Sequence, residues 1–313
     1  MKRLLCLVCA LSVFLMTGCT SDYHKNYNKI SIVTTMFASY DFARQIAGDK
    51  ADVTMLLKPG EETHSYEPSP KDIIKIEECD VFIYVGGEND AWVDRILSGI
   101  SDSNMKVIKM LDLVDKYEEE IIEGMESHEE DDEDGDEAEW DEHVWTDPEN
   151  AAVISKEIAK VLIETDNANK SYYESNCEKY VGELMELDSK FQELIDNAVR
   201  KEIIFGDRFP LRYFVEAYGL EYYAAFPGCA SETEPGSKTI AFLIDKAKKD
   251  GIPVIFTIEL SNGNIAKTIA DDANAKVMTF YTCHNVSKSD FENGETYLSL
   301  MKKNLTSLKE ALY

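Results

Sequence analysis

KSYYESNCEKYVGELMELDSKFQELIDNAV, residues 170–199, decides how this chain is divided. Tyr173, Cys177, Tyr180, Leu184, Leu187, Phe191, Leu194 and Ile195 recur at intervals of three and four, the spacing of one helical face. Gly182 is the only glycine in the stretch, and it contains no proline. Thirty residues of helix extend ~45 Å. That exceeds the width of one lobe, so the segment reads as a helix that bridges two.

The flanks support two lobes. Upstream, residues 30–37, 51–57, 80–87 and 106–111 are short apolar runs that read as strands. Helical patterns lie between them, one opened by Ser69 as N-cap with Pro70 at its first position. Downstream, residues 202–206, 221–226, 253–260 and 275–280 repeat the pattern, with a last helix over about 293–311. Strands alternating with helices indicate parallel sheets with helical crossovers. The expected fold is therefore α/β in two lobes. Each lobe is a four-stranded parallel sheet with flanking helices, and one long backbone helix joins them. The lobes are expected at 30–168 and 201–313, with the bridging helix at 169–200.

Charge narrows the function classes. The formal net charge is −28, which excludes a nucleic-acid partner and favours cations. Much of that charge is local. Between Glu118 and Glu142 there are sixteen Asp and Glu and no Lys or Arg, and without them about −12 would remain. The stretch lacks apolar periodicity and is expected to be a disordered loop. The N-terminus reads MKRLLCLVCALSVFLMTGCTS. A basic start and a thirteen-residue apolar run, Leu4–Met16, suit a signal peptide at 1–18 and are too short to span a bilayer. Met16-Thr17-Gly18-Cys19 resembles a bacterial lipobox, which implies lipid attachment at Cys19 and an extracytoplasmic, membrane-anchored protein. Residues 19–29 are expected to be a tether.

The chain has only five histidines. His64 follows a strand and precedes a helix start. His143 lies just before the Asp147-Pro148 helix start, and His284 follows the last strand. In open α/β sheets, ligands bind outside the carboxyl ends of strands. Neutral imidazole from such loops suits Zn²⁺, whereas Mn²⁺ favours more oxygen ligands. Neither the G-x-S-x-G pattern of a hydrolase nucleophile nor the H-E-x-x-H pattern of a metalloprotease is present.

GEETHSYEPSP (60–70), DEHVWTDPEN (141–150), the acidic insert before the second motif, the lipobox and the long helix together resemble a known family. It is that of the zinc-binding lipoproteins of metal ABC transporters, the cluster A-I solute-binding proteins. The resemblance implies a carrier that captures Zn²⁺ as cargo in the cleft between its lobes and delivers it to a membrane permease and its ATPase. A manganese carrier of the same family and a secreted zinc-dependent hydrolase stand as alternatives. Carried over, the first two family histidines fall on His64 and His143. The third position departs from the pattern, because IIFGDRFPLRYF (203–214) has no histidine and puts Gly206 or Arg208 there. The fourth falls near His284 or Asn285. The expected set is thus His64, His143 and His284, with a carboxylate or water in the fourth place. Asp207 is the first candidate carboxylate, ahead of Glu232 and Glu259. Glu234-Pro235 resembles the family's Glu-Pro and reads as a capping box from Ser231, with Pro235 opening a helix. A disulfide between Cys229 and Cys283 would fix the His284 loop.

Overall fold

The structure is a computed structural model that describes residues 29–61, 66–100, 104–125, 140–228 and 235–313. The signal segment, Cys19, the tether up to residue 28, His64, His128, Cys229, Ser231, Glu232 and Glu234 lie outside the described residues. Among the described residues no helix is long and apolar enough to cross a membrane.

Eight strands form two separate four-stranded sheets. The first contains β1 (Ile30–Thr34), β2 (Ala51–Met55), β3 (Val81–Tyr84) and β4 (Lys106–Lys109) in the order β2-β1-β3-β4. The second contains β5 (Glu202–Phe209), β6 (Glu221–Pro227), β7 (Val254–Ile258) and β8 (Lys276–Phe280) in the order β6-β5-β7-β8. Every pairing is parallel. Parallel neighbours require crossovers, and here helices supply them. In the first lobe these are α1 (Phe37–Ala47), α2 (Pro70–Glu78) and α3 (Ala91–Gly99). Ser69 caps α2 in a full capping box with Asp72, and Pro70 opens it. After α4 (Pro148–Thr165) comes the bridging helix α5 (Lys170–Asp196). The second lobe adds α6 (Arg212–Tyr218), α7 (Ser237–Asp250), α8 (Asn264–Ala273), α9 (Lys288–Glu292) and α10 (Tyr297–Leu312).

The bridging helix has 27 residues, or ~40 Å. It buries Tyr173, Cys177, Tyr180, Leu184, Leu187, Phe191 and Ile195, a single stripe along its length. It packs on α4 and α1 of the first lobe and on α6 and α10 of the second. One apolar core consequently runs without interruption from Ile30 through α5 to Leu312.

Three local expectations change. Residues 35–37 leave the first strand, because Phe37 already begins α1. The acidic stretch is ordered at both ends. Glu118 bridges Trp140 in antiparallel fashion, and the Asp141 N–H donates to the Tyr117 carbonyl at 2.9 Å. The Glu120 carboxylate pairs with Arg212 at 2.8 Å, so a second-lobe cation offsets the repulsion expected of the run. Finally, α7 starts at Ser237, with Gly236 as its N-cap, rather than at Pro235.

Phe191 is fully buried and stacks edge-on against Phe214, with ring centroids 5.0 Å apart. Phe191→Ala should cost about 3–5 kcal/mol of stability, as large core truncations do. Guanidinium denaturation of the metal-free protein measures this, and a loss below about 1 kcal/mol would show that α5 does not hold the second lobe.

Candidate metal site

Both sheets have their topological switch point between the first and third strands of the lobe, β1/β3 and β5/β7. Crevices outside the carboxyl ends of such strands are where open α/β sheets bind ligands. Here the two crevices face one another. Thr35, Met36 and Val85 from the first sheet, together with Glu142 and His284, line a small cavity of about 30 Å³. Asp207, Arg208, Ile258 and Glu259 from the second line a cleft of about 530 Å³, which His284 and Asn285 also border.

His143 is fully buried. The carboxylate of Asp141 holds it in two ways, accepting from its backbone N–H at 2.8 Å and lying 3.1 Å from ring Nδ1. Thr146 then accepts the chain into a single turn, its hydroxyl and its N–H both donating to the His143 carbonyl. Asp147 caps α4 by accepting from Glu149 N–H, with Pro148 first in the helix. Burial alone would lower the His143 pKa. The charge and hydrogen bond of Asp141, with Glu142 adding to them, outweigh it and raise the pKa above 6.5. Beside it Glu142 is buried and accepts two hydrogen bonds from Asn89, through backbone and side chain, each 2.9 Å. Desolvation nevertheless pushes its carboxyl up to about 7.

His284 sits in the loop after β8. The turn is made at Cys283, which holds φ at +60°, a left-handed conformation uncommon outside glycine. Its imidazole lies 5.3 Å from that of His143, centroid to centroid, and nearly perpendicular to it. The buried ring of Trp145 completes the triangle, 5.4 Å from His143 and 5.0 Å from His284. Glu259 props the loop from below by accepting from the Thr282 N–H and hydroxyl, both at 2.7 Å. Desolvation raises this carboxyl also to about 7.

The structure thus brings together two of the imidazoles singled out in the sequence, His143 and His284. The third, His64, lies outside the described residues, three positions beyond Glu61 on the cleft rim. Asp207 borders the same cleft as His284 but is engaged locally. Its Oδ2 accepts from the Thr257 hydroxyl at 2.7 Å and its Oδ1 from the Arg208 N–H at 3.0 Å. Among the described residues no three His, Cys, Asp or Glu side chains gather around one point as a complete ion site. Gly206 can be set aside as a ligand position. A Cβ there would meet the Ala266 backbone at 2.3 Å, so the close approach of α8 demands glycine. The anticipated Cys229–Cys283 disulfide has one partner, Cys229, outside the described residues. Cys283 itself is completely buried in the core shared by the lobes.

Several residues of the site were not legible as such. Asp141 orients His143, and its place two residues ahead is a recognisable carboxylate–histidine spacing. Tyr213 reaches across from α6 to donate to the Asp141 carbonyl at 2.9 Å, and nothing in its sequence context signals that.

Two α/β lobes on a helical spine, with imidazoles meeting where their switch-point crevices face, define a two-lobed binding protein. A family model described as zinc-uptake complex component A, periplasmic (ZnuA), matches residues 32–311, and the chain belongs to that family. The chain is 31% identical over 293 residues to the high-affinity zinc uptake system protein ZnuA of Bacillus subtilis, covering 91% of this chain and 88% of that protein. It is 30% identical over 314 residues to the zinc-binding lipoprotein AdcA of Streptococcus pneumoniae, covering 99% of this chain. That alignment spans only 61% of AdcA. The Zn(II)-bound ZnuA-like domain of AdcA superposes with a TM-score of 0.74 at 30% identity, covering 91% of this chain and 99% of that one. The metal-dependent lipoprotein YcdH of B. subtilis gives 0.76 at 29% identity, covering 91% and 100%.

Glu142 and Glu259 titrate near 7 rather than 4.5. Between those values the folded protein holds protons that the unfolded chain has released, so stability falls as pH rises through that window. His143, raised above 6.5, carries the same sign. The metal-free protein should therefore melt higher at pH about 5.5 than at about 7.5. Glu259→Gln should flatten the difference. Calorimetry across that range checks both, and an unchanged slope in the variant would mean that Glu259 is already ionised at the lower pH.

Proposed function

We propose that this protein is an extracytoplasmic solute-binding lipoprotein that captures Zn²⁺ between its lobes and delivers it to the permease and ATPase of an ABC importer. The observation that carries this reading is the meeting of His143 and His284, from loops far apart in sequence, at 5.3 Å in the interlobe seam. With Nδ1 committed to Asp141, the tautomer is set and Nε2 is the nitrogen assigned to the metal. His64 supplies the third imidazole. A tetrahedral zinc site then wants one more donor. Asp207 is the first candidate because it shares the cleft with His284, and water is the other. Glu259 is less suited, since both of its oxygens already hold the His284 loop.

Three nitrogens favour zinc over manganese. The named relatives are zinc-binding and zinc-uptake proteins, which supports cargo over catalysis. A carrier must release what it binds, so no general base is required beside the ion. Lipidation at Cys19 would keep the protein at the membrane, within reach of the permease. The acidic stretch raises the local cation concentration, an effect reaching ~8 Å at physiological salt.

Isothermal titration with Zn²⁺ and Mn²⁺ tests the assignment. His64→Ala, His143→Ala and His284→Ala should each weaken zinc by more than the ~10–100-fold typical of losing an outer-shell partner. Unchanged affinity in any of the three removes that residue from the set. Deleting residues 126–139 should leave one tight site and lower uptake mainly when zinc is scarce; loss of the tight site would overturn that division of labour.

A further inference from the structure

The loop 282–286 is attached by chain to β8 of the second lobe, yet its polar groups are bonded largely to the first. Trp145 Nε1 donates to the Thr282 carbonyl at 2.8 Å, Phe37 N–H to the His284 carbonyl at 3.1 Å, and Gly60 N–H to the Val286 carbonyl at 2.8 Å. Asn285 adds two more. Its side-chain Nδ2 donates to the carbonyls of Lys58 at 2.9 Å and Glu61 at 2.8 Å. Its Oδ1 accepts from the Val286 N–H at 2.8 Å, and the side chain is almost wholly buried. Both ends of the amide are therefore used, and its donors point across the seam. The segment it grips is a closed turn. Glu61 N–H donates to the Lys58 carbonyl at 3.0 Å, and Gly60 turns the chain at φ +82°.

We propose that Asn285 is a positioning residue for the metal site. Its amide pins the base of the His64 loop to the residue adjoining His284, and so sets the spacing of two ligands that belong to opposite lobes. This rests on the proposal that His64 and His284 share one ion. Aspartate at 285 would keep the volume and the bond to Val286 but would set a carboxylate oxygen against two carbonyl oxygens. Alanine would remove all three bonds.

The test compares Asn285→Ala and Asn285→Asp in the parent and in a His64→Ala background. Zn²⁺ affinity is read by competition with a chromophoric chelator, zinc release by stopped flow, and amide exchange at residues 58–61 in the metal-free protein. In the parent, either variant should weaken zinc by ~10–100-fold, the size of an outer-shell loss, chiefly through faster release. Exchange at Gly60 should accelerate while strand amides stay protected. In the His64→Ala background neither variant should shift affinity by more than about twofold, the scatter expected of independent contributions. An equal loss in both backgrounds overturns the proposal, as does unaltered exchange at Gly60 or unaltered affinity in the parent. If the alanine variant folds poorly, the aspartate variant carries the same comparison. The parent proposal fails on a different measurement, namely His64→Ala alone leaving zinc affinity unchanged.

Discussion

The indole N–H of Trp145 donates to the Thr282 carbonyl at 2.8 Å, and the geometry of the site depends on this bond between the lobes. The same residue accepts, through its own carbonyl, the hydroxyl of Tyr297 at 2.7 Å. Trp145 is thus held at both ends by the second lobe, although its chain neighbours belong to the first. Its ring packs against both imidazoles, which touch each other edge to face, and holds them at a fixed spacing. A buried donor deprived of its acceptor costs about 1–3 kcal/mol, so the lobes cannot slide past one another without breaking several such bonds together. Asp41 adds to the constraint. Buried on α1, it accepts from the Tyr297 N–H at 2.8 Å and from Arg44 Nε at 2.6 Å. Its side chain is fully buried, and this desolvation raises its pKa despite the guanidinium.

Most of the architecture was legible because its signals are local and periodic. Tyr173 through Ile195 repeat at the helical spacing, and the bridging helix follows them to within a few residues. The central strands β1, β3, β5 and β7 are buried on both faces and appear as short continuous apolar runs; the edge strands are partly exposed, yet they too lie where such runs occur. What was not legible came from contacts distant in sequence. β5 continues to Phe209 because it pairs with β6 around an irregularity between Phe205 and Arg208, which no run of residue types announces. The first end of the acidic stretch is tied by Glu120 to Arg212, 92 residues further on, and composition alone cannot report a partner so remote.

The site divides in the same way. His143 and His284 stood out because imidazole is scarce here and because both lie beside element ends. Their meeting is a property of the two sheets facing one another, which spacing along the chain does not encode. The supporting residues were harder to see. Glu259 reads from sequence as a spare carboxylate at a strand end, whereas the structure employs it to hold Thr282. Cys283 reads as half of a crosslink, and the structure adds that it is fully buried in the core. Gly206 reads as a missing ligand, yet the helix at Ala266 leaves no room for any side chain.

The apolar core passes through the bridging helix without a break, taking in residues from both sheets. Each lobe also has a smaller cluster of its own, around Phe82 in the first and Phe226 in the second, but most of its interior belongs to the shared core and is lost when its partner loses its packing. Heating should yield a single calorimetric transition, with van't Hoff and calorimetric enthalpies in agreement. A protein exposed outside the cytoplasm gains from this, because half-melted intermediates, the forms most open to proteases, would be scarcely populated.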